Sequence, residues 1–495
     1  MQKTLLRIKS IESYKWIMAI AILAAGVHFA LILFVIFSRI NYRYDLEWME
    51  GASLLQAYRI SMGQRLYLQP SLEYIPLIYP PLYFYLSAIL VKIIGISFLP
   101  LRIVSFASTL GCFLIIYYAV KDKTDSALIG FVAAGSFAAT FRLGGAWFDI
   151  ARVDMLFIFL CLAAVYFLGK HSIKDSIVAG ILFSLAFLTK QTAISIFAVM
   201  ALSTFILFRK QTIPFVGSFI ILTLFAYVYF NVSTNGWYQY YILTLPGSYQ
   251  IRWSSLLSTL QTGFEVEAVI ILIGYIPLLL NIRKLIQDKL HQHYYFASVG
   301  FIGTSVLARI NHGAYDNTLV PAYASIAILF GLGIRWWVSR FELRSGRNKL
   351  FLPLMWLAIS LQFIWLGYNP FSQIPTQADR MAGDALVTEI HNVPGDVLVP
   401  YDNYLSLFAG KKTYFHFVAF NDVRSLRTKT RPDLRNILQQ FHSTPFSLLI
   451  MDLPDNFIQN NHCASSQVIQ YASATTFYPI TGYSVRPTTE YFDCS

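Results

Sequence analysis

Long apolar segments separated by short polar connections dominate the pattern of this chain. Apolar runs of roughly 17–25 residues, the length of a helix that crosses the hydrocarbon core of a bilayer, recur between residues 16 and 368. The first run, 16–37, is too long for the core of a signal peptide and has no clear small-residue cleavage site, so we expect a retained helix. The pattern predicts an all-α polytopic membrane protein.

One segment, 82–96, decides how the spans are counted. If it crosses the membrane, the basic segment 121–125 (KDKTD) lies outside and every later loop changes side. If it lies in or near the interface, beginning at the Pro80-Pro81 pair as helices often do, the basic loops fall inside. The positive-inside rule selects the second topology. It gives eleven spans, at 16–37, 101–120, 126–141, 153–168, 176–189, 192–208, 213–230, 264–281, 294–308, 318–337 and 350–368.

This topology places the N terminus in the cytoplasm and several polar segments on the extracytoplasmic side. The largest of these before the tail is the first loop, 38–99. The others are 141–154, the Lys190-Gln191 pair, 231–262, 309–317 and the tail after the last span.

The tail, 369–495, differs in character from the transmembrane part, 1–368. Its apolar runs shorten to strand length, at 396–399 (DVLV), 414–420 (YFHFVAF) and 446–451 (FSLLIM), and 432–441 has helical spacing. Strands that alternate with a helix predict a small extracytoplasmic α/β domain.

Composition supports the membrane class. The chain has 495 residues, of which 56% are hydrophobic and 13% charged, whereas soluble domains have about 25% charged residues. The net charge of +12 follows from basic cytoplasmic loops, and no clustered basic face indicates a nucleic-acid partner. The sequence contains no P-loop, GxGxxG, HExxH or GxSxG motif, so ATP-driven and serine-hydrolase chemistry have no support.

The four cysteines leave one question open. Cys112 and Cys161 lie inside apolar segments and are most simply small core residues. Cys463 and Cys494 fall in the tail, where they could form a disulfide if the tail is extracytoplasmic, or remain free thiols. Their spacing does not suggest a zinc site.

The first loop carries an acidic cluster, Asp45, Glu47 and Glu50. If 46–62 is helical, Glu47 and Glu50 share one face. A carboxylate is suited to deprotonate a hydroxyl or amine nucleophile. The alternative is a charge cluster at the start of an interfacial helix, where the helix dipole favours acids.

A second acidic group, Asp149, Arg152 and Asp154, precedes an apolar run. Charges at a membrane edge are costly and are therefore functional candidates, although an Arg–Asp pair can simply satisfy itself. Because both acidic groups are predicted on the same side, we expect them to face each other across a polar pocket.

Lys190 and Gln191 interrupt an otherwise apolar stretch. A lysine there either reaches the interface or acts as a point charge on an anionic leaving group. Arg309, His312 and Asn317 are candidates for the same anion site.

Aromatic residues are dense in the predicted extracytoplasmic loops, Tyr67 and Tyr79 among them. An aromatic belt of the kind found in any membrane protein accounts for them. Stacking on sugar rings or packing against an isoprenoid chain is the functional alternative.

Several short motifs occur in an order that resembles the GT-C glycosyltransferases. The resemblance extends over about 10–335 and is closest to the dolichyl-phosphate-mannose–protein mannosyltransferases and their bacterial relatives, which include aminoarabinose transferases. The motifs are DLEWMEG (45–51), GQRLY (63–67), YPPLY (79–83), FDIARVD (148–154), LTKQT (188–192) and NHGAYDNTLVPAY (311–323).

The resemblance implies an enzyme that moves a sugar from a polyprenyl-phosphate-linked donor to a lipid, glycan or protein acceptor at the outer face of a membrane, and we expect that membrane to be the bacterial inner (plasma) membrane. An acid of the first loop would act as base, and Lys190 with Arg309 would stabilise the leaving phosphate. Many relatives have Asp-Glu where this chain has Met49-Glu50, so Asp45, Glu47 and Glu50 all stay candidates for the base.

Two other function classes fit the sequence less well. A transporter or flippase of lipid-linked sugar should show repeated halves with broken spans, and none is evident. A polysaccharide polymerase or ligase would be expected to concentrate its charges in a later loop. No cofactor or metal site is expected, although the acidic cluster leaves room for Mg²⁺ or Mn²⁺.

Overall fold

The computed structural model describes residues 2–280, 288–311, 313–341, 350–425, 435–454 and 463–494. Helices account for most of the first 365 residues, and each of the eleven predicted spans coincides with a helical segment. In chain order these helices are α1 Gln2–Arg39, α2 Glu50–Ser61, α3 Leu82–Ile94, α4 Leu99–Thr124, α5 Ala127–Ala139, α6 Asp154–Leu168, α7 Ile173–Phe187, α8 Ala193–Leu207, α9 Arg209–Ser233, α10 Trp237–Gln239, α11 Leu256–Phe264, α12 Ala268–Leu280, α13 Lys289–Arg309, α14 Val320–Phe341 and α15 Phe351–Trp365.

Among the described residues, five helical segments are long and apolar enough to cross a membrane by length and composition. They are Lys15–Arg39, Leu99–Thr124, Arg209–Ser233, Trp253–Leu280 and Asp316–Phe341. A sixth is obtained if α15 is joined to the helix that follows it at a bend of 53°. The chain is therefore an integral membrane protein, while the number of eleven spans stays a prediction.

The first loop folds into two helices, α2 and α3. The predicted helix 46–62 begins later than expected, at Glu50, so Glu47 lies before it and the two glutamates do not share a helical face. The prediction was wrong because residues 45–49 are held extended or turned by backbone contacts with other parts of the chain. Thr481 N–H, for example, donates to Leu46 O over 3.1 Å.

The last part of the chain contains a four-stranded mixed sheet. Its helices are α16 Gln377–Asn392, α17 Asn403–Phe408, α18 Phe417–Ser425 and α19 Arg435–Ser443, and its strands are β1 Asp396–Leu398, β2 Phe446–Met451, β3 Cys463–Val468 and β4 Thr489–Cys494. The strand order is β1-β2-β4-β3, and β1 pairs with β2 in parallel while the other pairs are antiparallel. The predicted small α/β unit is thus present.

Two of the three predicted strands are confirmed, and the third was wrong. Segment 414–420 leads into helix α18, because its aromatic rings pack onto one another rather than alternate across a sheet. The rings of Phe417 and Tyr401 stack at 4.4 Å, and those of Phe415 and Phe420 lie 4.8 Å apart. Strands β3 and β4 are too polar to show an apolar run and were missed.

The helix predicted at 432–441 begins at Arg435 within the described residues, and 432–434 lie outside them. Of the two alternatives for the tail cysteines, the structure shows the disulfide between Cys463 and Cys494. Cys112 and Cys161 are buried free thiols, as expected.

The C-terminal sheet unit packs directly against the first loop. Phe415 N–H donates to Leu72 O over 3.0 Å, and Thr481 pairs with Glu47 as an isolated parallel bridge. Lys412 and Glu73 form an exposed ion pair at 2.7 Å. The loop therefore lies between the helical bundle and the C-terminal unit, and side chains from both reach its acids.

Candidate active site at the first loop

Arg102 of α4 organises the start of the first loop. Its guanidinium donates to the carbonyls of Tyr42 at 2.6 Å and Tyr44 at 2.7 Å, and it pairs with Glu50 Oε2 at 2.6 Å. Arginine suits this role because its planar fork presents several donors in fixed directions. The chain leaving α1 is thereby turned back over the bundle.

Glu50 has its hydrogen-bonding capacity filled. Besides Arg102, its carboxylate accepts from the backbone N–H of Leu46 at 2.7 Å and of Ala151 at 2.5 Å. Arg102 and Glu50 are both completely buried. Glu50 thus joins the first loop to α4 and to residues 149–154, the second acidic segment. It has no oxygen left for a substrate.

Asp149 forms a second buried pair, with Arg39 at the end of α1. Arg39 Nε donates to Asp149 Oδ2 over 2.8 Å, a second guanidinium nitrogen contacts Oδ1, and both side chains are fully buried. Arg39 also donates to the carbonyls of Ala146 and Gln373. This pair fixes the end of α1 to the second acidic segment.

Glu47 and Arg152 join the two acidic segments at the centre of the site. Arg152 Nη1 lies 2.8 Å from Glu47 Oε2, and its Nη2 donates to the Tyr79 hydroxyl over 2.9 Å. Burial raises the pKa of Glu47 to about 7, although the Arg152 charge opposes the shift. The two acidic segments thus meet directly through Arg152, where the sequence had led us to expect a polar pocket between them.

Lys190 pairs with Asp154, the first residue of α6. Its Nζ lies 2.6 Å from Asp154 Oδ1, and 14% of the lysine side chain is exposed. Asn317 donates to the same oxygen over 3.2 Å, and Trp147 Nε1 donates to Oδ2 over 3.0 Å. A partly exposed ammonium next to buried partners is a cation that an anionic ligand can reach.

Gly145, which precedes the second acidic segment, allows the chain to approach the turn 313–317 between α13 and α14. Its φ of +73° is unfavourable for other residues, and a Cβ there would come within 2.7 Å of the Tyr315 ring. The Tyr315 ring packs on Trp147 at 5.6 Å. The glycine therefore brings Trp147 and Asn317 to the same carboxylate.

The remaining predicted residues lie further from this centre. Arg309 binds Asp316 at 2.9 Å and the carbonyl of Ala314 at 2.7 Å. Gln191 donates to Ile78 O over 2.9 Å. His312 lies outside the described residues.

Tyr67 lies behind the site and supports it. It is 1% exposed, and its hydroxyl donates to the carbonyl of Tyr79 over 2.8 Å. Rings of the segment 231–262, Tyr238 and Tyr241, pack on it at 5.2 and 6.4 Å. Of the two predicted tyrosines, Tyr79 is the one whose hydroxyl contacts Arg152 directly.

Asp45 differs from the other acids of the site. Among the described residues no cation pairs with it; its Oδ1 accepts a hydrogen bond from the Tyr404 hydroxyl at 2.6 Å. Its Oδ2 is buried without a hydrogen-bond partner in the described part of the chain. Burial raises the pKa of Asp45 to about 7; the Tyr404 hydroxyl opposes the shift, and the charge of Glu50 adds to it.

Sequence reasoning missed the partners of these acids. Arg39 and Arg102 stand at the ends of apolar segments, where a charge signals a functional or paired site, and that signal was available. Tyr404 carries no such signal, since its contact spans 359 positions of sequence. Within the described residues, no group of three or more His, Cys, Asp or Glu side chains is placed to hold a metal ion.

The family model for dolichyl-phosphate-mannose-protein mannosyltransferase matches residues 79–230, which contain Tyr79, Arg152, Asp154 and Lys190. No curated protein matches the chain by sequence.

Several solved structures share the fold. ArnT from Cupriavidus metallidurans bound to undecaprenyl phosphate has a TM-score of 0.58 at 12% identity, covering 89% of this chain and 96% of ArnT. Apo ArnT from the same organism has a TM-score of 0.60 at 12% identity, with coverages of 94% and 97%. The oligosaccharyltransferase AglB from Archaeoglobus fulgidus, in complex with an inhibitory peptide and a dolichol-phosphate, has a TM-score of 0.52 at 11% identity, with coverages of 88% and 69%.

The family match and the shared fold identify the group that this chain resembles. The match includes three of the motifs noted in the sequence, at 79–83, 148–154 and 188–192, and the structural similarity extends over nearly the whole chain. The resemblance to GT-C glycosyltransferases of the dolichyl-phosphate-mannose–protein mannosyltransferase and aminoarabinose transferase group is confirmed.

Proposed function

We propose that this protein is a membrane glycosyltransferase that moves a sugar, a hexose or a pentose, from a polyprenyl-phosphate-linked donor to an acceptor. The fold shared with ArnT and the family match at 79–230 support this class of enzyme. The acceptor is a lipid, a glycan or a protein. We place the reaction at the extracytoplasmic face of a bacterial inner membrane, with a cytoplasmic N terminus and an extracytoplasmic C-terminal unit.

One observation carries the chemical assignment: Asp45 is the acid of the site without a cation among the described residues. Glu47, Glu50, Asp149 and Asp154 each pair with an arginine or lysine. A carboxylate held by a cation is a poorer proton acceptor, whereas Asp45 has an oxygen without a hydrogen-bond partner. Burial raises the pKa of Asp45 and of Glu47 alike to about 7, so the open oxygen and not the pKa distinguishes the two acids. Asp45 is therefore the general base of the proposed reaction.

The reaction is a displacement at the anomeric carbon of the donor sugar. The acceptor oxygen forms the new bond to that carbon while its proton passes to Asp45 Oδ2. The bond between the anomeric carbon and the phosphate oxygen breaks, and polyprenyl phosphate leaves with the electron pair. Negative charge grows on the leaving oxygen, where a nearby cation stabilises it most.

Lys190 is the cation proposed to meet that charge. Its ammonium is partly exposed and already oriented by Asp154. Asp154 is two residues from Arg152, which contacts the first-loop acid Glu47, so the anion site adjoins the acidic loop. Arg309 lies at the nearby turn with 30% of its side chain exposed. It adds positive charge further from the leaving oxygen than Lys190 does. Tyr79, held by Arg152, is placed to contact the donor.

Release of polyprenyl phosphate tests the proposal. Purified protein with a polyprenyl-phosphate-linked sugar and an acceptor should liberate the lipid phosphate, and a chelator should leave the rate unchanged. Asp45→Asn should lower kcat by about 10²–10⁴-fold, as expected for loss of a general base. Asp384→Asn, a change of the same kind at a half-exposed position, serves as the control.

Two outcomes would contradict the assignment. Full turnover by folded Asp45→Asn would exclude Asp45 as the base and return Glu47 to consideration. If no donor yields lipid phosphate, while intact lipid-linked sugar crosses the membrane of proteoliposomes, the protein is a transporter rather than a transferase.

A further inference from the structure

Tyr404 connects the C-terminal unit to the proposed base. It belongs to the short helix α17, and its hydroxyl donates to Asp45 Oδ1 over 2.6 Å. The backbone N–H of Asp45 lies 3.5 Å from the same hydroxyl oxygen. Tyr404 thus contacts both the carboxylate and the main chain of the residue.

The Tyr404 ring is held tightly. It is completely buried and makes edge contacts with Phe98 at 5.1 Å and Phe408 at 5.6 Å. It also lies against Gly51 of α2, where a Cβ would come within 2.4 Å of the ring. Glycine at 51 is therefore required by the close approach of a C-terminal side chain to the catalytic loop.

The surroundings of Asp45 are unfavourable for a charged carboxylate. Arg102 faces it, but this guanidinium already pairs with Glu50 and three loop carbonyls. The other titratable groups that face Asp45 are Glu50 from α2, Tyr42 from the loop, and Tyr404, Asp402 and Asp452 from the C-terminal unit.

Asp402 and Asp452 form a second group of buried acids next to Asp45. Both are at least 95% buried, and their two carboxyl groups interact with each other. Burial raises the pKa of each well above its usual range. The Tyr404 hydroxyl is the only side-chain donor to Asp45 in the described part of the chain, and it opposes the effect of burial on the pKa of Asp45 more strongly than the charge of Arg102 does.

We propose that Tyr404 is a positioning residue for catalysis: it fixes Asp45 by one oxygen and keeps the carboxylate ionised, so that the other oxygen receives the acceptor's proton. This inference rests on the proposed function, in which Asp45 is the base. The proton moves from the acceptor hydroxyl to Asp45 Oδ2, and Tyr404 keeps its own proton throughout. The C-terminal unit then supplies part of the active site and is more than a cover over it.

Tyr404→Phe tests the inference with little change in packing, because the ring is kept. Loss of the donor should shift the acidic limb of the pH profile of kcat/KM upward by about one unit, and activity should recover at high pH. On the acidic side of the profile, kcat/KM of Tyr404→Phe should therefore be about tenfold lower than that of the wild type. Activity is measured as polyprenyl phosphate release.

Tyr44→Phe is the matched control. Tyr44 also joins the loop to the C-terminal unit, by donating to Asp384 over 2.5 Å, but it does not bond to Asp45. The acidic limb should stay in place in this variant. An equal loss of activity by Tyr404→Phe at every pH, or the same shift in both variants, would overturn the inference.

A second readout separates this inference from the proposed function. The infrared band of the protonated Asp45 carboxyl, identified by its absence in Asp45→Asn, can be titrated without substrate. Its midpoint should rise in Tyr404→Phe, and an unchanged midpoint would overturn the inference even in an active enzyme. Failure of the wild type to release lipid phosphate with any donor would instead overturn the proposed function.

Discussion

Arg102 Nη2 lies 2.6 Å from Glu50 Oε2, and both side chains are completely buried. The first-loop motif made Glu50 a candidate for the base, yet its oxygens are all engaged by Arg102 and two backbone amides. Removing one member of a buried ion pair leaves the other charge uncompensated. The pair therefore holds the loop in place.

Glu50→Gln should accordingly act on stability first. We expect a loss of about 3–5 kcal/mol in the free energy of unfolding, because Arg102 would be left buried without a counter-charge. Thermal unfolding of the detergent-solubilised protein measures it. Glu73→Gln, which breaks the exposed pair with Lys412, should cost about 1 kcal/mol or less. Equal stability of the two variants would contradict the structural role of Glu50.

Lys190→Gln should act on catalysis. If the ammonium stabilises the leaving phosphate, its removal should lower kcat/KM for the donor by about 10²–10³-fold, since an oriented charge of this kind is worth several kcal/mol in a transition state. Asp154 keeps its bonds from Trp147 and Asn317, but it loses its counter-charge, so the unfolding midpoint of the variant is measured beside its rate to show that the enzyme assayed is folded.

Lys412→Gln is the matched control for that experiment, because Lys412 is an exposed lysine paired with a first-loop acid. Initial rates over a range of donor concentrations separate kcat from KM. A Lys190→Gln enzyme whose kcat/KM stays within twofold of the wild type would exclude the phosphate contact.

The sequence predicted the helical scaffold well because membrane spans are set by local composition. Hydrophobic length and loop charge depend on neighbouring residues, so each of the eleven predicted spans coincides with a helical segment. The same reasoning failed for 414–420, because a short aromatic run fits a strand or a helix equally until its tertiary partners are known. Strands β3 and β4 were missed since their polar sequences carry no apolar run.

The candidate site was predicted in its residues but not in its pairing. The acids of both segments and Lys190 are conspicuous as charges near membrane-length apolar runs. Which acid is neutralised depends on contacts between distant positions, such as Glu47 with Arg152 and Asp45 with Tyr404, 105 and 359 residues apart. Local pattern cannot show which carboxylate stays unpaired.

Stability should fall as pH rises because of Asp402 and Asp452. Burial raises the pKa of both, so the folded state binds protons more tightly than the unfolded chain does. Their contribution is fully present below the unfolded pKa of about 4 and is lost as pH rises through the folded values. Asp452→Asn should therefore raise the midpoint of thermal unfolding at pH 8.5, and the gain should shrink at pH 5.

Asp493→Asn provides the comparison for that measurement. Asp493 is exposed and has a φ of +52°, which asparagine tolerates well. The unfolding midpoint of Asp493→Asn should equal that of the wild type at both pH values. An Asp452→Asn gain that does not depend on pH would mean that repacking, and not relief of a buried charge, stabilises the variant.

The disulfide between Cys463 and Cys494 gives a prediction for both stability and orientation. It joins β3 to the end of β4 across 31 positions, and closing a loop of that length is worth about 2–4 kcal/mol. A reductant should lower the unfolding midpoint of the wild type but not that of the double variant Cys463→Ser, Cys494→Ser.

Disulfides persist outside the cytoplasm, so alkylation before lysis, followed by mass spectrometry, should find this pair blocked if the C-terminal unit is extracytoplasmic. A pair found reduced in protein taken from cells would place that unit on the cytoplasmic side.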